Sequence, residues 1–462
     1  MSRLNSLIGL EIHVQLNSKA KMFSSSKNSM DDVVNSNTSY YDAGLLGTLP
    51  RLVNSQALTK ALKVCKVLNM EIDPLLSFDR KHYFYSDMAK GYQITQHFHP
   101  LGKNGYLKIN DKEIKIARLH LEEDSAKQIH NFNYTLIDYN RSGIPLIEIV
   151  TEPVFNQASE VVAFLRELRD ILLYLKVSEC RLEKGSMRVD VNVSLYDENH
   201  HYNKVEIKNL NSFVNIEKAI ESEVLRETNL LKEGQEIKSY TVRFDEATSN
   251  TVIMRDKENQ IDYHCFKDPN IPVIKIPDEL LREIANSNFK LKHDYRKYYL
   301  NNYGFDRDAV EIVLNDIYLN DLFFELLNKS LYPNLTLNLL CNNLLKFKNK
   351  YDIYDINVSE LCYLIELRAA DKILSREVNA IIERMFKESI YNYIDDYLLL
   401  DNDKVIEKAI TKVLEENKNK LEDYRGGKKK LFGFFMGQVL AQLKGKSNPK
   451  VVKELLNNYL NK

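Results

Sequence analysis

The chain has 462 residues, 44% hydrophobic and 28% charged, with 64 Lys and Arg against 65 Asp and Glu. That composition is a soluble globular protein's rather than a disordered chain's, and the length predicts about three domains, at roughly 150 residues each. No apolar run approaches the ~20 residues a bilayer span needs, and Met1-Ser2-Arg3 runs almost directly into a strand-like segment, so a cytoplasmic location without membrane contact is expected.

In chain order, the first signal is Gly9-Leu10-Glu11-Ile12-His13-Val14-Gln15-Leu16. Period-2 alternation puts Glu11, His13 and Gln15 on one strand face and Leu10, Ile12, Val14 and Leu16 on the other. Apolar residues at three- and four-residue spacing predict helices over Ser55–Ile72 and Ala158–Tyr174. Between them, Ala117–Asp124 reads as a strand ending in the acidic run Glu122-Glu123-Asp124. Met187–Leu195 alternates again, with Arg188, Asp190, Asn192 and Ser194 on its polar face, and Val205–Lys208 adds Glu206 and Lys208. Pro272 and Pro277 bracket a connector, and from Asp278 the strand signals give way to helical rhythm. A further boundary is expected near Asp401-Asn402-Asp403, where the chain turns from acidic to basic. The division that follows is 1–280, 281–400 and 401–462. From Tyr424 to Lys462 nine basic residues, among them Arg425, Lys428, Lys429 and Lys430, stand against one acid, which suits a phosphate backbone.

A polar strand face is ordinarily the wet side of an antiparallel sheet. Here the residue types argue for more. Carboxylates, a histidine and amide or hydroxyl groups recur strand after strand, and strands sharing one sheet would bring these oxygen ligands together. Such a surface suits Mg²⁺, a hard cation that takes carboxylates and substrate phosphates, with Arg188 and Lys208 available to neutralise phosphate charge.

The absences narrow the chemistry. Gly445-Lys446-Ser447 has Leu440 where a P-loop needs its first glycine, and no GxGxxG or GxSxG occurs, so any nucleotide is expected to be held by metal and side chains on a sheet rather than by a Gly-rich loop. No Gly-Gly-Ser-Ser amidase segment is present, so ammonia is not made by this chain. The five cysteines are scattered and none forms CxxC, which predicts free thiols.

Together these segments resemble the B subunit of the bacterial and organellar aspartyl/glutamyl-tRNA amidotransferase (GatB). The matching stretches include IGLEIHVQL (8–16), FDRKHYFYSDMAKGYQITQ (78–96), RLHLEEDSAK (118–127), DYNRSGIPLIEIVTEP (138–153), LEKGSMRVDVNVS (182–194) and YRGGKKK (424–430). The resemblance implies an α+β fold, with a glutamine synthetase-like catalytic cradle domain followed by all-α helical and YqeY-like tail domains. It implies ATP-dependent phosphorylation of the side-chain carboxylate of Glu-tRNA(Gln) or Asp-tRNA(Asn). Ammonia from an amidase A subunit then gives the amide, and a small C subunit completes a heterotrimer. ATP and Mg²⁺ are the implied cofactors. The family's metal site falls on Glu11, His13 and Glu123, with Asp190 and Glu206 nearby. Strand parity favours Glu122 where the family pattern stresses Glu123, and both stand as candidates. Arg188, Lys208 and Glu206 fall at the ATP or acyl-phosphate site, and Arg425, Lys428, Lys429 and Lys430 in the tRNA-contacting tail. A non-catalytic tRNA-binding scaffold and a free-standing ligase for a small acid are the competing readings. The first leaves the carboxylate faces without a use, and the second leaves the basic tail without one.

The chain departs from the family pattern in three places. Ser24, Ser26, Ser39 and Asp42 stand where many relatives carry zinc-binding cysteines, so no structural zinc is expected. The segment Tyr263–Asn270 has His264 and Asp268 in place of Arg and Glu. Ser86 and Ala89 replace two prolines, which loosens that loop.

Overall fold

The computed structural model describes residues 4–30, 32–256, 264–399, 403–443 and 446–461. The chain divides into two compact units, Met1–Lys292 and His293–Lys462. The expected boundary at Asp401-Asn402, and Tyr263, Lys444, Gly445 and Lys462, lie outside the described residues.

The first unit is built on one nine-stranded sheet. Its strands are β1 (Asn5–Gln15), β2 (Glu71–Ile72), β3 (Gly102–Ile109), β4 (Lys112–Glu123), β5 (Pro145–Thr151), β6 (Met187–Tyr196), β7 (Val205–Lys208), β8 (Tyr240–Asp245) and β9 (Asn250–Asp256). They lie in the order β9-β8-β7-β6-β1-β5-β4-β3-β2, antiparallel throughout except for the β7–β8 pair. The central pair is long, in register from Asn5↔Tyr196 to Val14↔Met187. The two-residue turn between β3 and β4 is Asn110-Asp111, both at positive φ, a type I′ geometry that these residue types tolerate.

Alternation makes the sheet two-faced. Ile8, Leu10, Ile12 and Val14 of β1 and Val189, Val191 and Val193 of β6 are buried in a continuous core with helices α1 (Ser55–Val67), α2 (Ala158–Tyr174) and α3 (Phe213–Lys232). Each such side chain contributes about 1.5–3 kcal/mol on full burial. Helix α2 spans the residues its periodicity predicts. Helix α1 starts where Asn54 caps the amides of Gln56 and Ala57, but it ends at Val67 rather than Ile72. Asn69 takes φ 54 and reverses the chain, so Glu71–Ile72 pairs at the sheet edge as β2. Apolar spacing continues past the helix end because those residues are buried for another reason.

Three further strands, Asp79–His82, Tyr92–Thr95 and His264–Lys267, form a small antiparallel sheet. Here the altered Asp268 ion-pairs with Arg80 at 2.6 Å and accepts the amides of Asn270 and Ile271. His264 faces His82 in register. At the other altered loop, Asp42 Oδ2 accepts the hydroxyls of Ser24, Ser26 and Ser39 at 2.8–3.0 Å, with the buried Lys21 ammonium 3.5 Å away. A carboxylate hub closes this loop by hydrogen bonds.

The second unit is helical. Ile317–Lys329 and Val358–Ala369 are among its helices, and Tyr299 donates to Asn320 at 2.8 Å in its interior. Its last four helices, α4 (Asp403–Glu416), α5 (Lys418–Arg425), α6 (Phe432–Gln442) and α7 (Pro449–Leu460), enclose a core of Ile410, Val413, Phe435, Val439, Val452 and Leu456. Among the described residues no helix is long and apolar enough to cross a membrane.

Candidate active site

The polar face of the large sheet carries the site. Residues directly opposite in antiparallel strands share a face, and the register sets His13 of β1 against Glu148 of β5, which in turn faces His120 of β4. Two residues along β4, Glu122 lies on the same face opposite Leu146. His13 Nε2 lies 3.3 Å from Glu122 Oε1 and 3.6 Å from Glu148 Oε2, and His120 Nε2 lies 2.5 Å from Glu148 Oε2. Thr95 of the small sheet donates to Glu122 Oε2 at 3.4 Å. Glu122 and His120 are buried, whereas His13 keeps 23% of its side chain open.

Burial and charge act against each other here. Burial favours neutral imidazole at His13, but Glu148, Glu122 and Asp190 outweigh it and raise the pKa to about 9. Burial pushes the Glu122 carboxyl up, with Glu148 adding to the shift and His13 opposing it. Burial pushes the same way at Glu148, yet His120 and His13 hold it well below the usual carboxylate range. Two carboxylates thus share one small space, with two imidazoles set against them.

The flanking candidates occupy the same face in separate pairings. Glu11 lies opposite Asp190 in register and accepts from Asn192 Nδ2 at 3.0 Å. Lys208 sits between Asp190, at 2.5 Å, and Glu206, at 3.0 Å, and Thr241 donates to Glu206. Arg188 pairs with the buried Asp124, which also accepts from Gln15 Nε2 at 3.1 Å. Arg188 and Asp124 shift each other further into their charged forms, against the cost of burying Asp124. Beside this pair opens a cleft of about 650 Å³ whose lining includes Gln15, Lys127, Arg141, Lys184, Ser186 and Arg188.

Glu123 behaves differently from Glu122. At the end of β4 its carboxylate turns away from His13, pairs with Lys90 at 2.5 Å and accepts the amide of Ile94. Of the sequence candidates for a metal site, the fold brings His13 and Glu122 together and sets Glu123 apart, bound to an ammonium. Glu11 and Asp190 remain beside the group, each with its own partner. Among the described residues, His13, Glu122 and Glu148 form a set whose ligand atoms all lie within 4.8 Å of one another.

Two members escaped the sequence reading. Glu148 is a single acid inside the apolar run Pro145–Thr151, and that isolation was its signal. His120 stands two residues before Glu122 and shares its face by alternation alone. In the basic tail, Arg425, Lys428, Lys429 and Lys430 are all exposed at the end of α5 and in the turn after it, with Lys428 3.0 Å from Asp423 and Lys429 over the Tyr424 ring.

Comparison with known proteins gives the class to which this sheet and helical unit belong. Residues 6–282 match the GatB/GatE catalytic domain, and residues 321–460 match the GatB domain. The B subunit of the aspartyl/glutamyl-tRNA(Asn/Gln) amidotransferase of Mycoplasma capricolum subsp. capricolum is 37% identical over 99% of this chain and 98% of its own length. Those of Mycoplasma mycoides and Geobacillus thermodenitrificans are also 37% identical, over 100% and 99% of both chains. The chain belongs to the family of aspartyl/glutamyl-tRNA(Asn/Gln) amidotransferase B subunits.

Proposed function

We propose that this chain activates the side-chain carboxylate of Glu-tRNA(Gln) or Asp-tRNA(Asn) with ATP, within a tRNA-dependent amidotransferase. The observation that carries this is the grouping of His13, Glu122 and Glu148 on one sheet face beside Arg188 and Lys208.

The grouping fits a divalent cation. Two carboxylates and an imidazole converge, and the buried Glu122 Oε1 lacks a hydrogen-bond donor. Mg²⁺ held by His13, Glu122 and Glu148, with Glu11 and Asp190 adjoining, would supply the positive charge that phosphoryl transfer requires. Ligation requires His13 to give up the proton its neighbours stabilise. Arg188 and Lys208 balance phosphate charge, and Glu206 with Asp190 holds the Lys208 ammonium in place.

A carboxylate oxygen of the esterified amino acid attacks the γ-phosphorus of ATP, and ADP leaves. Ammonia delivered by an amidase subunit attacks the acyl carbon, phosphate leaves, and the nitrogen loses a proton to give the amide. A glutamine synthetase-like cradle is the architecture we assign to the first unit, supported by its carboxylate-rich polar face and its opposite, helix-covered face. The segment 401–462 is the tRNA-contacting tail in this reading, supported by its exposed cations.

The test is a complex reconstituted with the amidase and small subunits, given ATP and each misacylated tRNA in turn. ATP-dependent amide formation that Glu122→Gln abolishes is the expected result. A scaffold would hydrolyse no ATP even with tRNA and partners present, and that outcome would remove the catalytic reading.

A further inference from the structure

We propose that His120 is a positioning residue that fixes Glu148 for cation binding, a role that rests on the carboxylate cluster proposed above. In the register of the sheet, Glu148 is flanked on both sides by imidazoles, His13 from β1 and His120 from β4. The two imidazoles differ. His13 stands 3.6 Å away and partly open, whereas His120 is buried and only 2.5 Å away. A carboxylate can only accept, so the His120 Nε2 carries the hydrogen and points it at Glu148 Oε2.

The other ring nitrogen, Nδ1, is buried without a hydrogen-bond partner. The cost of that unmet polar atom is borne by a ring whose side-chain hydrogen bond is to the carboxylate. A leucine would fill the space without it. His120 Nε2 also lies 4.0 Å from Glu122 Oε2, so the same ring stands beside both acids. Partners outside the ligand set that orient ligating carboxylates commonly change metal affinity by about 10–100-fold.

The measurement is binding of Mn²⁺ alone to the assembled complex, read by electron paramagnetic resonance without ATP or tRNA. Wild type is compared with His120→Leu, His120→Gln and His120→Asn. Gln places an amide N–H close to where Nε2 stands, and Asn withdraws it by one methylene. We expect His120→Leu and His120→Asn to weaken Mn²⁺ binding at least tenfold, and His120→Gln to stay within about threefold of wild type.

Amidation should follow the same order and recover as Mg²⁺ is raised, since the ligands themselves remain. Equal Mn²⁺ affinity in wild type and a folded His120→Leu complex overturns the proposal. Equal weakening by Gln and Asn also overturns it, because the hydrogen bond would then not be the cause. Should the Leu variant fail to fold, the Gln and Asn pair decides. Wild type whose Mn²⁺ binding is indifferent to Glu122→Gln and Glu148→Gln would instead remove the cation site itself.

Discussion

Two groups of carboxyls lie on opposite sides of the same sheet, and each solves the problem of buried charge differently. On the polar face, Glu122 and Glu148 meet two imidazoles and stand among further acids and bases. On the apolar face, helix α3 buries Glu223 and Glu227 one turn apart. Glu223 is held by Arg226 and by the hydroxyl of Thr251. Glu227 has no donor at either oxygen, and burial together with Glu223 raises its pKa to about 9. The apolar side thus meets the excess charge by keeping a proton. The polar side sets imidazoles against it, and in the proposed site His13 is the one that would yield its proton to a cation. A buried acid is therefore not by itself a site; what matters is whether its countercharge can be exchanged.

The largest effects are expected on the polar face. Glu148→Gln or Glu122→Gln should reduce amide formation on the misacylated tRNA by at least about a hundredfold, the upper end of what loosening a ligand does. Activity within threefold of wild type in either variant would show that the cluster is not the site. Glu123→Gln is expected to act through stability, because it strands the Lys90 ammonium in a buried position. Its cost should be about 3 kcal/mol in denaturant unfolding, with Mn²⁺ binding retained.

Glu227→Gln sharpens the apolar side. A carboxyl with a raised folded pKa contributes its stability in full below the unfolded value, near 4.3, and loses it as pH rises towards about 9. A neutral glutamine escapes that loss. The variant should gain on wild type by about 1 kcal/mol or more between pH 6 and pH 8, seen as a widening difference in unfolding midpoint. A pH-independent difference would mean that Glu227 titrates normally.

The smallest effect concerns the tail. Replacing Lys428, Lys429 and Lys430 with alanine should flatten the salt dependence of tRNA binding by a slope of roughly 0.7–0.9 for each phosphate no longer neutralised. Filter binding across a salt series measures it, and an unchanged slope would confine these lysines to a solvated surface.

Much of this was legible in the sequence, for identifiable reasons. Side-chain alternation in a strand is a local property, so Glu11, His13 and Gln15 share a face whatever β1 pairs with. The same holds for Arg188, Asp190 and Asn192 on β6, and ordered motifs along the whole chain point to the family before any coordinate is known. Helix α2 is visible because its amphipathic period needs no information from elsewhere. The expectation for helix α1 runs on to Ile72 because the left-handed turn at Asn69 leaves no mark on hydrophobic spacing.

Pairing is what the sequence withheld. Glu148 sits in an apolar strand whose polar face is defined only by its neighbours, so the register against His13 and His120 had to be seen. Between Glu122 and Glu123 parity offered one answer and motif resemblance the other, and the end of β4 separates them. Glu122 faces the histidines, and Glu123 turns to Lys90 from a loop 33 residues away. Local chemistry thus fixed which groups this chain could bring to a carboxylate face. Which of them meet was decided by strand order and register, because an encounter between distant segments has no local cause.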